Sequence, residues 1–317
     1  MFKNIINQQK AKDITIGQLK SGRVPHAYLF LGQEGVGRKK FALELAKILN
    51  CAANVSAQDG IQNTGGACGH CPSCSKIDRG LHPDVQLVNF EWQANLENKD
   101  VEKQKSIKIN TIREVQKGVS LKPSEGKWKV YIIEPAEKIT LDAANCLLKT
   151  LEEPPKWTLL ILLARNRENL PATVVSRTQI IPFTPLKETE VAQYLARHHS
   201  LSESAAAKIA ARSEGSFLAA AALVEEDSGM LESLWNDIKK NLLADAELLA
   251  VSQQHSKNAS EFTRELLALV KMDFNRDPEK YRNAVQEVLA SDKLLGRNVN
   301  AQMVLDNMLL SLNHGSK

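Results

Sequence analysis

Four cysteines within residues 51–74 have the spacing of a metal-binding site. They form the pattern Cys-x16-Cys-x2-Cys-x2-Cys, with sulfurs supplied by Cys51, Cys68, Cys71 and Cys74. Thiolates hold Zn2+ in closed, tetrahedral structural sites, and a Cys-x2-Cys turn can direct two sulfurs at one ion. The glycines and the proline around the last three cysteines suit such tight turns. We therefore predict a structural zinc module at residues 51–74.

Other interpretations of these residues stay open at the level of sequence. The cysteines could ligate an iron–sulfur cluster, or they could be free thiols in a surface loop. His70 and His82 could each replace one cysteine as a ligand. The polar, glycine-rich segment 52–67 has little reason to be ordered unless a metal clips its ends together. Cys146 lies in an apolar helical pattern and is expected to be a small buried residue rather than a nucleophile.

The segment 32–40, GQEGVGRKK, approximates a phosphate-binding loop. The motif Gly-x-x-x-x-Gly-Lys-[Ser/Thr] cradles phosphates with backbone N–H groups and holds Mg2+ with the hydroxyl. Arg38 keeps a positive charge, although a guanidinium does not substitute freely for an ammonium. Lys39 places a cation where Mg2+ needs a hydroxyl ligand. The residues of this predicted degenerate site are Gly32, Gly35, Gly37, Arg38 and Lys39.

The acidic partner motif of such a site is altered as well. Working ATPases of this kind carry Asp-Glu after a buried strand, one carboxylate for Mg2+ and one to polarise water. This chain has Glu134 and then Pro135 at those positions, with Glu137 two residues further on. Each motif alone could be an unrelated turn. Two altered motifs at the expected places favour a shared origin with ATPases and argue against present ATPase activity.

Residues 27–183 alternate between short apolar runs and amphipathic stretches. Helical periodicity is clearest at 39–51, where Phe41, Ala42, Leu45 and Leu49 share one face. Strands that alternate with helices predict a parallel sheet covered on both faces. The strand-like runs are 27–32, 84–90, 128–134, 157–164 and 178–183, and the further helices are 110–121 and 140–155.

The composition changes after Pro185, beyond which no strand is predicted. Three short helical patterns precede Asp227, and longer amphipathic patterns follow it. This predicts an α/β domain at 1–183, a small helical domain at 184–226 and a helical C-terminal domain at 227–317. The last helix has an apolar face that is either buried in the chain or shared with a partner, formed by Met303, Leu305, Met308, Leu309 and Leu312.

Composition excludes some classes of protein and permits others. The 317 residues are 43% hydrophobic and 25% charged, which is ordinary for a globular chain. No apolar run approaches the ~20 residues that span a bilayer, and the charged N-terminal segment lacks the apolar core of a signal peptide. We therefore expect a cytoplasmic protein with no membrane partner. A net charge of +4 permits contact with nucleic acid without demanding it.

Three segments carry a family resemblance: HPDVQLV at 82–88, LDAANCLLKTLEEPP at 141–155 and LPATVVSRTQIIPF at 170–183. They resemble the clamp-loader branch of the AAA+ family, and within it the delta-prime class of subunits of bacterial DNA polymerase III. The resemblance covers nearly the whole chain and includes the four-cysteine insertion. It implies a RecA-like AAA+ domain, then a helical lid domain and a helical collar domain.

The resemblance also implies a role for Arg177. The family's Ser-Arg-Cys motif supplies an arginine finger to the ATP site of a neighbouring subunit, and here it stands as Ser176-Arg177-Thr178. Such fingers accelerate hydrolysis in other NTPases by ~10³–10⁵. An ordinary structural ion pair is the alternative for Arg177. Leu218 stands where motor subunits carry a nucleotide-sensing arginine in the lid.

The implied function is that of an accessory subunit without ATPase activity. Its partners would be tau/gamma motor and delta subunits in a hetero-pentamer, which loads a sliding clamp onto primed DNA. Its cofactor would be structural Zn2+, with ATP not productively bound. The alternatives are an active AAA+ motor of the clamp-loader or helicase type, and a zinc-dependent DNA-binding module.

Overall fold

The computed structural model describes residues 1–54, 66–198, 201–297 and 299–314. The chain forms two compact units. The first comprises Met1–Glu190 and Glu214–Leu218, and the second comprises Val191–Ser213 and Ala219–Lys317. The division into three domains at residues 184 and 227 stays a prediction.

The first unit contains a five-stranded parallel sheet, as the sequence predicts. Each of the five strand-like runs holds one strand: β1 (Ala27–Leu31), β2 (Val85–Val88), β3 (Lys129–Ile133), β4 (Thr158–Ala164) and β5 (Gln179–Pro182). Their order across the sheet is β2-β3-β4-β1-β5. All four pairings are parallel, with Leu29 opposite Leu162 of β4 and Ile180 of β5. The neighbouring inner strands β1 and β4 therefore lead towards the same edge of the sheet.

Helices cover both faces of the sheet. They are α1 (Gln9–Lys20), α2 (Arg38–Asn50), α3 (Pro72–Asp78), α4 (Phe90–Glu97), α5 (Ile109–Ser120), α6 (Leu141–Glu152) and α7 (Ala172–Val175). The predicted helices α2, α5 and α6 are confirmed. The predicted strand at 84–90 is too long, because Asn89 accepts the N–H of Trp92 at 2.8 Å and starts α4 at Phe90.

Alternation along β1 divides the core into two layers. Tyr28 and Phe30 pack on one side with α1 and α2, while Leu29 packs on the other side with α5 and α6. This is the period-2 arrangement of a strand that is buried on both faces. The four predicted apolar residues of α2 are all fully buried, which confirms that face: Phe41, Ala42, Leu45 and Leu49.

The second unit is helical. Its helices are α8 (Glu188–His198), α9 (Glu203–Arg212), α10 (Phe217–Lys239), α11 (Asp245–His255), α12 (Ala259–Arg276), α13 (Pro278–Leu295) and α14 (Ala301–His314), of which α8 and α10 begin in the first unit. The third short helical pattern and the first longer one were expected to be separate helices, which is wrong, since α10 continues through Asp227. Gly229 is the only strong helix-breaking residue type near that position, and one glycine costs a helix only ~1 kcal/mol.

The apolar face of α14 is mostly intramolecular. Leu305, Met308, Leu309 and Leu312 are buried in the core of the second unit, whereas Met303 is 61% exposed. Four of the five predicted positions thus serve this chain's own packing. Among the described residues, no helix combines the length and apolar character needed to cross a bilayer.

Candidate functional site

The parallel sheet brings three chain segments together at the carboxyl ends of its strands. Gly32 follows β1, Glu134 follows β3 and Arg165 follows β4. The Gly32 N–H donates to the carbonyl of Ala164 at 3.2 Å, so the glycine turn begins directly beside the end of β4. This edge is where open α/β sheets bind their ligands.

The turn between β1 and α2 requires glycine at two positions. Gly35 and Gly37 have φ angles of +78° and +97°, a region that side chains with a Cβ rarely occupy. A Cβ on Gly35 would also lie 2.6 Å from the backbone nitrogen of Leu218. The first turn of α2 has no side-chain cap, so its N–H groups are free to face an anion.

Residues 214–218 close over this turn. Gln33 Nε2 donates to the carbonyl of Glu214 at 2.7 Å, and the N–H of Phe217 donates to the carbonyl of Gly35 at 3.1 Å. Ser216 Oγ also donates to the carbonyl of Glu34, at 2.8 Å. Leu218 therefore lies against the glycine turn and brings no charge there.

Arg38 is buried rather than extended into open space. It is 4% exposed, and its Nη1 has no hydrogen-bond partner among the described residues. Burial lowers the pKa of the Arg38 guanidinium, opposed by the nearby carboxylates Glu134, Glu137 and Glu34. The cation expected to meet a phosphate is thus surrounded by negative charge from the protein itself.

The other cations of the site are paired with carboxylates as well. Lys39 Nζ lies 4.0 Å from Glu134. Arg165 contacts Glu34 at 2.8 Å and approaches Glu137 at 4.0 Å. Three cations and three carboxylates therefore offset each other around the turn.

Sequence reasoning missed Glu34 and Arg165. Arg165 could have been found, because it directly follows a buried parallel strand and must lie at the same edge as the glycine turn. Glu34 lies inside the turn, at a position that the phosphate-loop motif leaves free. Its pairing with Arg165 depends on the register of β1 against β4, which the sequence motif does not encode.

Glu134 already lies beside a cation, since Lys39 Nζ is 4.0 Å from its carboxylate. Burial raises the pKa of its carboxyl, and the neighbouring Lys39 and Arg38 only partly counteract this. Pro135 follows Glu134 and offers no second carboxylate. The donor set expected for a magnesium nucleotide is therefore incomplete around this turn.

Arg177 lies outside the glycine turn, two residues after the end of α7. Its Nη2 contacts Glu152 at 2.9 Å, and its Nη1 donates to the carbonyl of Thr173 at 3.1 Å and to Ser176 Oγ at 3.3 Å. The side chain is 37% exposed, and that of Glu152 is 50% exposed. Exposed ion pairs of this kind contribute only ~0–1 kcal/mol, so a stronger anion could displace Glu152. Thr178, the third residue of the motif, donates its hydroxyl to the carbonyl of Val175.

The four predicted cysteine ligands meet at one point. The sulfurs of Cys51, Cys68, Cys71 and Cys74 all lie within 4.8 Å of one another. A tetrahedral zinc with Zn–S bonds of ~2.3 Å requires sulfurs ~3.8 Å apart, which this cluster accommodates with little adjustment. The cluster fits a single four-coordinate metal ion.

Local structure positions each sulfur of the cluster. Cys51 terminates α2, and Cys71 precedes Pro72 at the start of α3, which also carries Cys74. The N–H of Cys68 donates to the sulfur of Cys51, and the N–H of Cys71 donates to the sulfur of Cys68, both at 3.3 Å. Cys51 and Cys74 are buried, whereas the other two are half-buried.

Backbone amides make the Cys68 thiol acidic. The N–H of His70, followed by that of Cys71, lowers the pKa of Cys68 to about 6. Burial raises the pKa of Cys51 and of Cys74. A metal ion would reverse that effect, because its charge stabilises the thiolate form. Cys51 and Cys74 therefore need a bound cation more than Cys68 does in order to form thiolates.

The remaining candidates lie outside this cluster. His70 is exposed and contacts the carbonyl of Cys68, while buried His82 accepts the N–H of Asp84. Neither belongs to the metal-ligand group found among the described residues. Cys146 is half-buried and donates to Gln116 Oε1, which agrees with a packing role. Most of the glycine-rich segment that the metal was expected to order, residues 55–65, lies outside the described residues.

The matching family model and two sequence relatives all belong to DNA polymerase III. A family model described as DNA polymerase III, delta subunit, matches residues 7–187. The chain is 30% identical to DNA polymerase III subunit tau/gamma of Haemophilus influenzae, over 76% of this chain and 33% of that protein. It is 34% identical to DNA polymerase III subunit delta' of Bacillus subtilis, over 60% of this chain and 54% of that protein. The chain thus spans between a third and about half of the length of these two relatives.

Solved structures with similar folds have low sequence identity. A DNA polymerase III gamma subunit-related protein from Thermotoga maritima is 18% identical, with a TM-score of 0.41, over 98% of this chain and 100% of that chain. A RuvB variant from the same organism is 15% identical, with a TM-score of 0.45, over 71% and 61% of the two chains. The family model itself covers more than half of the chain. The chain belongs to the DNA polymerase III delta subunit family, in the clamp-loader branch of the AAA+ proteins.

Proposed function

We propose that this chain is a non-hydrolysing, delta-prime-type subunit of a DNA polymerase III clamp loader. In this role it assembles with tau/gamma-type motor subunits and a delta-type subunit, and the pentamer loads a sliding clamp onto primed DNA. Relatives that carry the names of delta' and tau/gamma subunits support this assignment. The cytoplasmic location expected from the sequence belongs to the same proposal.

The observation that carries the proposal is the balance of charge around the glycine turn. A triphosphate needs uncompensated cations, and Mg2+ needs a hydroxyl and a carboxylate. Lys39 faces Glu134, Arg165 faces Glu34, and Arg38 is buried among the carboxylates. Binding a nucleotide would require breaking these pairs, so the turn serves the fold rather than hydrolysis.

Arg177 is the residue through which the subunit would act on its neighbour. Its guanidinium is partly exposed and is held by Glu152 and by the carbonyl of Thr173. A guanidinium in trans stabilises the charge that develops on a γ-phosphate during hydrolysis. Releasing an exposed ion pair costs little compared with that gain, so Glu152 can hold the finger without blocking it.

The cysteine cluster would hold zinc as a structural ion. Four thiolates close the tetrahedron, so no open position is left for a substrate. The ion would fix α3 against the end of α2, and it would have no direct part in nucleotide chemistry.

The direct test of the proposal is ATP hydrolysis by a reconstituted loader that contains Arg177→Ala. We expect the DNA-stimulated ATPase rate to fall by ~100-fold or more at the affected site, with assembly unchanged. Arg23→Ala is the matched control, because Arg23 is an exposed arginine in the turn after α1. A loader with Arg177→Ala that retains the wild-type rate would remove the finger assignment.

The alternative function is that of an active motor subunit. Its support is the 30% identity to a tau/gamma subunit. Mg2+-dependent ATP binding by the isolated chain distinguishes the two functions, because only a motor carries unpaired cations and Mg2+ ligands for its own nucleotide.

A further inference from the structure

Two loops at the edge of the sheet opposite the glycine turn form an aromatic and cationic surface. One loop leads into β3 and the other into β4. Trp128 and Trp157 meet edge to face, with ring centroids 5.4 Å apart. Lys127 Nζ lies 5.5 Å from the centroid of the Trp157 ring. Together with Lys156, these residues define what we call the tryptophan platform.

The backbone conformation of Trp157 is unusual. Its φ angle is +64°, in the left-handed region that bulky residues rarely occupy. The residue is 41% exposed, so part of the indole is open to a ligand. Strained residues of this kind concentrate at ligand-binding sites. The carbonyl of Trp157 accepts the N–H of Lys129 at 2.8 Å, which fixes the backbone of Trp157 beside the start of β3.

Buried polar residues hold the first loop rigidly. The carboxylate of Asp84, which is 2% exposed, accepts the N–H groups of Ser124, Glu125 and Gly126 at 2.7–2.8 Å. Asn50 Oδ1 accepts the next two N–H groups, those of Lys127 and Trp128, at 2.8 and 2.9 Å. Five consecutive amides are therefore fixed, and the platform is organised before any ligand arrives.

The charge around the platform is positive. Within the described part of the chain, Lys122, Lys127 and Lys156 form no ion pair. Of the two acidic residues in the same loops, Glu125 is bound by Lys76 at 2.6 Å, which leaves Glu153. The surface therefore favours an anionic ligand.

We propose that the tryptophan platform binds single-stranded nucleic acid. Bases stack on exposed aromatic rings without regard to sequence, while lysines contact the phosphates. An acidic peptide would satisfy the lysines but would gain little from two flat indoles. The inference does not depend on Arg177 or on the state of the glycine turn.

Binding of fluorescein-labelled oligo(dT) to the full-length chain, followed by anisotropy, tests this inference. Trp157→Asn removes the ring and retains a residue that tolerates a left-handed backbone. We expect this variant to weaken the apparent Kd by about tenfold, from the loss of one stacked base. Thermal unfolding at or above the wild-type midpoint would show that the variant is folded.

A second variant, Lys127→Ala with Lys156→Ala, tests the phosphate contacts separately. We expect the slope of log K against log salt to become shallower by about 1.4, from ~0.7 per phosphate contact on a single strand. Lys20→Ala, on the exposed face of α1, is the matched control and should leave the slope unchanged.

Three outcomes would overturn the inference. They are no binding of oligo(dT) by the wild type, equal binding by all of these variants, and tighter binding of a polyglutamate peptide or of duplex DNA than of oligo(dT).

Discussion

The cysteine cluster and the glycine turn both match sequence motifs, but they differ in how much of their chemistry survives. The four sulfurs converge within 4.8 Å of one another, close enough to ligate one metal ion. The glycine turn keeps its left-handed glycines and its helix, yet its cations are offset by carboxylates that belong to the same chain. The cysteine cluster is arranged to bind a metal ion, whereas the cations around the glycine turn are already paired with carboxylates.

The difference shows what a motif can establish. A thiolate site needs four side chains, and their spacing along the chain nearly determines their geometry. A nucleotide site needs charge that is left uncompensated. That charge depends on Glu34, Glu134 and Arg165, which lie on three separate segments of the sheet edge.

Loss of the metal should have the largest effect on the free protein. Cys74→Ser removes a buried ligand, and we expect stoichiometric zinc to be lost with on the order of 3 kcal/mol or more of stability. Elemental analysis and denaturant unfolding measure the two quantities. Cys146→Ser is the matched control, since Cys146 lies outside the cluster and should retain the metal. Wild-type protein without any bound metal would contradict the zinc assignment.

Restoring the phosphate-loop motif should change ATP affinity only slightly. In Arg38→Lys with Lys39→Thr, the loop matches a working phosphate loop, but Glu34, Glu134 and Pro135 are unchanged. We expect ATP affinity to rise by no more than about threefold, ~0.7 kcal/mol, without turnover. Adding Glu34→Gln frees Arg165 and should raise the affinity further. Fluorescent-nucleotide titration measures these differences, and turnover by the double variant alone would show that the ion pairs do not silence the site.

The smallest expected effect is on the pH dependence of folding stability at Glu134. Because its folded-state pKa is raised, folding favours the protonated carboxyl, and this contribution is lost as pH rises through the folded pKa. Glu134→Gln should therefore gain about 0.5 kcal/mol relative to wild type above the pKa of the folded carboxyl, and this gain should vanish below the ordinary glutamate range. Urea unfolding from pH 4 to pH 8 provides the comparison. A difference in unfolding free energy between Glu134→Gln and wild type that does not change with pH would argue against a carboxylate destabilised by burial.

Much of the fold follows from local sequence patterns. All five strands and helices α2, α5 and α6 lie where periodicity predicts them. The errors in the predicted element boundaries have specific causes. Helix α4 begins at an Asn89 cap inside an apolar run, and α10 tolerates Gly229 within an otherwise helix-favouring sequence.

The candidate sites were predictable to different degrees. Cysteine spacing was sufficient to identify the four clustered sulfurs. The pairing of Glu34 with Arg165 was not predictable from motifs, because it arises from the register of β1 and β4. The tryptophan platform likewise joins two loops through neighbouring strands, and the left-handed backbone of Trp157 has no sequence signal.

The central claim is that the glycine turn no longer supports nucleotide chemistry. Calorimetric titration of the isolated chain with ATP and Mg2+, combined with a phosphate-release assay, tests it most directly. We predict no Mg2+-dependent binding and no turnover, because the cations around the turn are already paired. Tight, Mg2+-dependent binding with phosphate release would contradict the account and favour an active motor subunit.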